Sequence, residues 1–276
     1  MRITFCGTGQ AYLDSERAGA SIFVEDEGSG VLLDCGPGSL ARLPAAGITF
    51  EEIKAVLISH LHFDHTLGIP ELLTRFAFQE AEMPQFYGPS GTKEFMVAAI
   101  EFARTQLGFL AGGLWIDRVD GVAVHEPAPG SHLTVAGIDV EARTVPHAGD
   151  LHALAWRLET PKCHLVYSGD TRPSHEAFSE LASGADILIH EAYTRDGLLR
   201  QMKTMPAERQ EAVDRAFIET HSDVGQVAAI ARDTGVRTLI LTHLLPLESA
   251  EDLQAAAEAE FDGEIVVAHD GLSLDV

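Results

Sequence analysis

The sequence predicts an α/β fold of stacked sheets and helices, and three observations lead there. Short β-type runs alternate with amphipathic stretches from end to end. Of the 276 residues, 46% are hydrophobic and only 22% charged, enough apolar chain to bury a large core. No repeat, low-complexity tract or obvious linker interrupts the pattern, so residues 1–276 read as a single domain.

In chain order, runs with β-type composition predict strands over 2–6, 20–25, 30–34 and 55–59, followed by helices over 68–79 and 92–107. Strands are predicted next at 132–135, 138–145, 153–159 and 163–168. A helix over 174–183 begins at Ser174, whose hydroxyl can accept from free backbone N–H groups, and stops near Gly184, where a left-handed backbone costs little. A strand at 186–190 leads into the long polar stretch 194–220, which contains a helix over 207–219 and could be a lid, an oligomer contact or a surface excursion. Ser222 is expected to cap a helix over 222–234, with Asp223 favoured by the helix dipole in its first turn. A strand at 238–242, a helix over 249–260 and strands at 264–268 and 273–276 complete the chain.

Nineteen Lys and Arg against 42 Asp and Glu give a net charge of −23, spread along the chain. Such a surface repels polyanions, and no Lys/Arg cluster supplies the counterion release on which long nucleic acids bind, so no long nucleic acid is expected as a partner. No uncharged apolar stretch reaches about 18 residues, the length that would propose a membrane span. Met1-Arg2-Ile3-Thr4-Phe5-Cys6-Gly7 turns to Gly and Thr too early for a signal peptide. The expected setting is therefore the cytoplasm, without a membrane. Cys6, Cys35 and Cys163 are scattered singly in apolar segments and read as small core residues.

The chemistry is concentrated after the apolar run Ala55-Val56-Leu57-Ile58-Ser59, in His60-Leu61-His62-Phe63-Asp64-His65. Alternate side chains of an extended segment share a face, so His60 and His62 can reach one metal, and the following turn brings Asp64 and His65 to a second. Imidazole with carboxylate suits zinc, with iron or manganese as alternatives. Three more apolar runs each end on a ligand-type residue: His147 after Val145-Pro146, Asp170 in Ser168-Gly169-Asp170-Thr171, and His243 after Leu241-Thr242.

At these residues the chain resembles the metallo-β-lactamase superfamily, in its ribonuclease Z-like and arylsulfatase-like hydrolase branch. Phe5-Cys6-Gly7-Thr8-Gly9, Leu32-Leu33-Asp34-Cys35-Gly36-Pro37-Gly38, His190-Glu191-Ala192, His221-Ser222 and Thr242-His243 also fall in the family's order, so the resemblance covers nearly the whole chain. It implies a four-layer αββα sandwich of two mixed sheets with helices on both outer faces, and a homodimer. It implies two divalent metals, one on His60, His62 and His147, the other on Asp64, His65 and His243, bridged by Asp170. Asp34 would orient the ligand loop without binding metal. Paired metals lower the pKa of a shared water enough to make a nucleophile near neutral pH. The implied catalytic residues are Asp64, His221 and Glu191, with His221, held by Glu191, protonating or stabilising the leaving group.

Family members that process tRNA carry a long basic arm between the positions matching His147 and Asp170, where this chain has 22 residues. Leu244-Leu245-Pro246 likewise departs from their phosphate-binding segment. The expected substrate is therefore a small anionic ester, with a small phosphodiester first. Aryl sulfates, phosphotriesters and lactones or other acyl esters are the alternatives, and tRNA 3′-end processing ranks below them. Among the other histidines, His125, His132, His164 and His175 read as surface residues, His190 and His269 as structural, and His152 could line the pocket. Arg172 reads as a salt-bridge residue.

Overall fold

The structure, a computed structural model, describes residues 1–149 and 151–276. The first half of the chain runs β1 (Arg2–Gly7), β2 (Ser21–Asp26), β3 (Ser29–Leu33) and β4 (Ile53–Leu57), then α1 (Phe63–Thr66), α2 (Gly68–Phe78), β5 (Gln85–Tyr87), α3 (Thr92–Gly108) and β6 (Val124–His125). The second half begins with β7 (His132–Val135), β8 (Ile138–Val145), β9 (Ala153–Glu159), β10 (His164–Tyr167), α4 (His175–Leu181) and β11 (Ile187–Glu191). It continues through α5 (Arg195–Met202), α6 (Ala207–Thr220), α7 (Val224–Thr234), β12 (Thr238–Thr242), α8 (Ala250–Glu258) and β13 (Glu264–Val267). The last strand, β14 (Ser273–Asp275), returns to pair with β1.

Two seven-stranded sheets result, in the orders β14-β1-β2-β3-β4-β5-β6 and β13-β12-β11-β10-β9-β8-β7. Each contains three antiparallel and three parallel pairings. The period-2 alternation of strand side chains decides what each face meets. Phe5, Leu33 and Leu57 point between the sheets and pack with Val140, Trp156, Tyr167 and Ile189. Phe23, Leu32 and Val56 point the other way, under Ile69, Leu72 and Phe76 of α2 and Met96, Ala99 and Ala103 of α3. On the far side, Val166, Leu188 and Leu239 are covered by Phe178 of α4, Val227 and Ile230 of α7 and Leu253 of α8. The layers are helix, sheet, sheet, helix, as the family resemblance implies.

Two local expectations change. Strands β5 and β6, of three and two residues, are too short to give a sequence period and were not predicted. Asp223 rather than Ser222 caps α7, its carboxylate accepting from the Gly225 N–H at 3.0 Å. The buried Ser222 hydroxyl donates instead to the Thr171 carbonyl at 2.7 Å, tying the start of α7 to the Asp170 loop. Ser174 caps α4 as predicted. The polar stretch folds as α5 and α6, which close over a small core of Tyr193, Leu198, Met202, Phe217 and Leu245. The three cysteines are free and buried. No helix among the described residues is long and apolar enough to cross a membrane.

Candidate metal centre

Six strand ends deliver polar side chains to one place. Asp34 follows β3, the His60–His65 segment follows β4, His147 follows β8, Asp170 follows β10, Glu191 ends β11 and His243 follows β12. Asp34 and His243 both have left-handed backbones, with φ of 59° and 56°. Such a conformation is uncommon outside glycine and persists only where surrounding contacts enforce it. Gly169, at φ 55°, has the opposite reason: a Cβ there would stand 2.6 Å from the Ser59 Cβ. Glycine lets the Asp170 loop lie directly against the histidine loop.

Asp34 fixes that loop. It accepts from the Ser59 N–H at 2.7 Å, the Ser59 hydroxyl at 2.7 Å, His65 Nδ1 at 2.8 Å and the Tyr167 hydroxyl at 2.8 Å. With Nδ1 committed to Asp34, His65 turns Nε2 inward. The same logic holds for His60, whose Nδ1 lies 3.1 Å from the Ser59 hydroxyl, and for His147, whose Nδ1–H donates to the Thr220 carbonyl at 2.9 Å.

The free nitrogens gather into two clusters. In one, His60 Nε2 is 3.0 Å from His62 Nδ1, His147 Nε2 is 3.3 Å from the same atom, and Asp170 Oδ2 is 3.7 Å from His60 Nε2. In the other, His65 Nε2 is 3.0 Å from His243 Nε2, which is 3.2 Å from Asp64 Oδ2, while Asp170 Oδ1 is 3.3 Å from His65 Nε2. Asp170 therefore turns one oxygen to each cluster. Among the described residues, candidate donor atoms lie within 4.8 Å of one another in three groups: His60, His62, His147 and Asp170; Asp64, His65 and His243; and Asp170, Glu191, His221 and His243.

This donor set fits divalent metal. Buried carboxylates are costly unless paired or coordinated. Among the described residues, Asp170 Oδ1 and His243 Nδ1 are buried without a hydrogen-bond partner, 3.4 Å from each other. Burial lowers the pKa of His60 and His62 and brings His147 down to about 4, so these rings are neutral donors. Burial opposes a charge on His65 as well, but Asp170 and Asp34 raise it well above the usual imidazole value. Positive charge is thus drawn to the point where three carboxylates converge.

Beside the clusters, Glu191 Oε1 accepts from the Thr171 N–H at 2.7 Å and Oε2 accepts from His221 Nδ1–H at 2.8 Å. His221 stacks against His243 with ring centroids 5.8 Å apart, and its Nδ1 is 4.0 Å from Asp170 Oδ2. Burial disfavours its charged form, yet the charge and hydrogen bond of Glu191 outweigh that and raise its pKa to about 9.

All nine sequence-predicted site residues meet here. His125, His132 and His175 are exposed, His164 is half-buried, and His269 is exposed with its ring on the Asp270 carbonyl. His152 is exposed rather than part of either cluster. Arg172 is also exposed, and its backbone N–H donates to Pro146 O. Ser59, Tyr167 and the Thr220 carbonyl escaped sequence reasoning. Tyr167 is a polar tip on an inward strand position, Ser59 follows β4, and the Thr220 group is the backbone carbonyl that ends α6; none of these carries a sequence pattern of its own.

Residues 30–244 match the family model described as "Beta-lactamase superfamily domain". Ribonuclease Z of Mycobacterium bovis (strain BCG / Pasteur 1173P2) is 31% identical over 279 residues, which cover 98% of this chain and 96% of that protein. The chain belongs to the metallo-β-lactamase superfamily. It is a ribonuclease Z-like hydrolase of that fold, with a His/Asp cluster able to hold metal ions. Two solved structures share the architecture. The metallo-β-lactamase fold protein YhfI from Bacillus subtilis has a TM-score of 0.76 at 20% identity, covering 99% of each chain. The short form of human tRNase Z has a TM-score of 0.70 at 23% identity, covering 100% of this chain and 99% of that one.

These relatives correct the expectation that no long nucleic acid is a partner, because proteins named for RNA cleavage align along the whole of this ribonuclease Z-like chain. Two of the arguments for the exclusion are weakened. An alignment covering 96% of the mycobacterial enzyme leaves little room in it for a long arm either. Net charge describes the whole surface, whereas binding depends on local field; the cleft next to Asp64 is lined by Arg17 and Arg42 as well as by Asp14.

Proposed function

We propose that this chain is a dinuclear metal-dependent phosphodiesterase hydrolysing small phosphodiesters, acting in the cytoplasm as a homodimer in which residues 1–276 form one catalytic domain. The observation that carries this reading is the pair of nitrogen and oxygen clusters sharing Asp170, with an imidazole–carboxylate pair beside them. His60, His62 and His147 would hold one divalent ion and Asp64, His65 and His243 the other, with zinc favoured over iron or manganese. Bound there, the ions would acidify water and withdraw charge from the substrate's oxygens.

The protein's own groups supply the rest. Burial works against the charge on Asp64, but the hydrogen bond from His243 and the charges of His65 and His243 keep its pKa below the ordinary value, so it is a carboxylate able to accept the proton of the attacking water. As the water oxygen bonds to phosphorus, the bond to the leaving alcohol breaks opposite it. His221, protonated through Glu191, gives its proton to that departing oxygen. Glu191 then keeps the ring oriented for the next cycle.

RNA is a second reading, favoured by the 31% identity to a ribonuclease Z along 98% of the chain. Its internucleotide link is itself a phosphodiester, so the same residues would serve. The test is metal analysis of the purified protein combined with bis(p-nitrophenyl) phosphate, p-nitrophenyl sulfate, a lactone and a 3′-extended tRNA precursor. Turnover of the phosphodiester above the sulfate and lactone is the expected result. No response to either phosphodiester substrate, or fewer than about 1.5 metal equivalents after loading, would overturn the reading.

A further inference from the structure

The two sheets face each other across an apolar layer, and Tyr167 of β10 stands in it, 2% exposed. A phenol is costly there unless its hydroxyl is bonded, and phenylalanine would fill nearly the same space without that cost. The hydroxyl donates across the layer to Asp34 Oδ2 at 2.8 Å. Burial, with the charges of Asp34 and Asp170, pushes its pKa well above the ordinary phenol value, so it stays a donor.

The other donors to Asp34 are the Ser59 N–H, the Ser59 hydroxyl and His65 Nδ1, all on the loop that Asp34 orients. They hold the carboxylate to its own loop, whereas Tyr167 holds it to the opposite sheet. Three residues beyond Tyr167 the same strand end delivers Asp170, whose Oδ1 lies 3.3 Å from His65 Nε2. The end of β10 therefore reaches both ring nitrogens of His65, one through Asp34 and the other through Asp170. Its sheet also supplies His243, with Nε2 3.0 Å from His65 Nε2. Trp156 crosses the layer too, but its Nε1–H donates to the Ile58 carbonyl at 3.2 Å, ahead of the histidine loop rather than at His65. In the other cluster, His60 Nδ1 faces the Ser59 hydroxyl and His147 Nδ1 the Thr220 carbonyl, so neither ring is bonded through Tyr167 directly.

We propose that Tyr167 is a positioning residue: through Asp34 it holds His65 in register with His243 and Asp170, and so sets the affinity of the Asp64, His65 and His243 cluster for its divalent ion. The proposal rests on the dinuclear part of the phosphodiesterase reading and gives the two ions separate supports. Removing a group that orients a metal ligand from behind typically lowers metal affinity about 10- to 100-fold.

The experiment titrates zinc calorimetrically into the full chain stripped of metal. Tyr167→Phe should weaken one of two binding events about tenfold and spare the other. Two backgrounds assign the events: His62→Ala leaves the Asp64, His65 and His243 cluster whole, and His243→Ala leaves the His60, His62 and His147 cluster whole. The loss should appear in the first background and be absent from the second. Tyr87→Phe removes a phenol hydroxyl from the same apolar layer, where it donates to Gln85 Oε1, and should change neither event. Far-ultraviolet circular dichroism should show each variant folded. Equal weakening of both events, weakening of neither, or loss of folded structure in Tyr167→Phe would overturn the assignment. If the selective loss is seen and wild type cleaves no phosphodiester, the positioning role stands and the phosphodiesterase reading falls; a wild type that binds no zinc removes both.

Discussion

Glu191 and His221 form the pair proposed as the proton donor. The carboxylate is almost fully buried and has one strong cationic neighbour, so its charge acts on the imidazole without solvent between them. Glu191→Gln should keep the hydrogen-bonding shape while removing that charge. We expect kcat to fall about a hundredfold, with metal content unchanged by atomic absorption. Parallel loss of metal and turnover would mean that the pair supports the clusters rather than the leaving group.

His190, one residue earlier, is a different kind of buried imidazole. Its Nδ1–H donates to the Glu191 carbonyl at 2.7 Å, its Nε2 has no partner among the described residues, and its ring packs on Phe178. Burial lowers its pKa from 6.5 to about 4, so it stays neutral where an unfolded chain would be protonated. The unfolded state therefore binds the extra proton, and stability falls as pH drops from about 6.5 toward 4, by about 3 kcal/mol at full effect. In Tm profiles over that window, His190→Gln should show a shallower decline than wild type. Identical slopes would remove His190 from the acid response.

At the scale of elements, the decisive contacts are between strand ends. Gly169 allows the Asp170 loop to touch Ser59, and any side chain there meets both a positive φ and a 2.6 Å clash. Gly169→Ala should cost about 1–3 kcal/mol, read as a lower Tm even in the metal-free protein. An equally important contact runs from α6 to His147 through the Thr220 carbonyl. It makes the polar excursion part of the support for a candidate ligand.

How much of this was legible in sequence depends on the range of the interaction. The histidine loop, its flanking strand and the amphipathic helices are local patterns, and their predicted spans agree with the structure to within a few residues. The placement of His147, Asp170 and His243 at the site was legible because each ends an apolar run. Tyr167 bonding Asp34, Ser222 bonding Thr171 and Thr220 bonding His147 were not, since each joins residues tens of positions apart through atoms with no pattern of their own. The partner expectation failed for a related reason. A net charge of −23 is a sum over the whole sequence, and it says little about the field where Arg17 and Arg42 sit beside Asp64.

At the scale of the whole molecule, the proposed ions should matter to stability as well as to chemistry. Ligands that bind only the folded state stabilise it in proportion to the logarithm of their concentration over Kd. Chelation should therefore lower Tm, and zinc should restore it while magnesium does so poorly at a nitrogen-rich site. Equal recovery with both ions would count against imidazole coordination.

The origin of the proposed ligands gives this stabilisation a direction. His60, His62, Asp64 and His65 belong to the first half of the chain, and His147, Asp170 and His243 to the second, which sends β14 back across to β1. Each cluster draws on both halves. A cation here would act as a clasp between two half-molecules. Residues 1–126 and 127–276, made as separate fragments, should reassociate more tightly with zinc than without it.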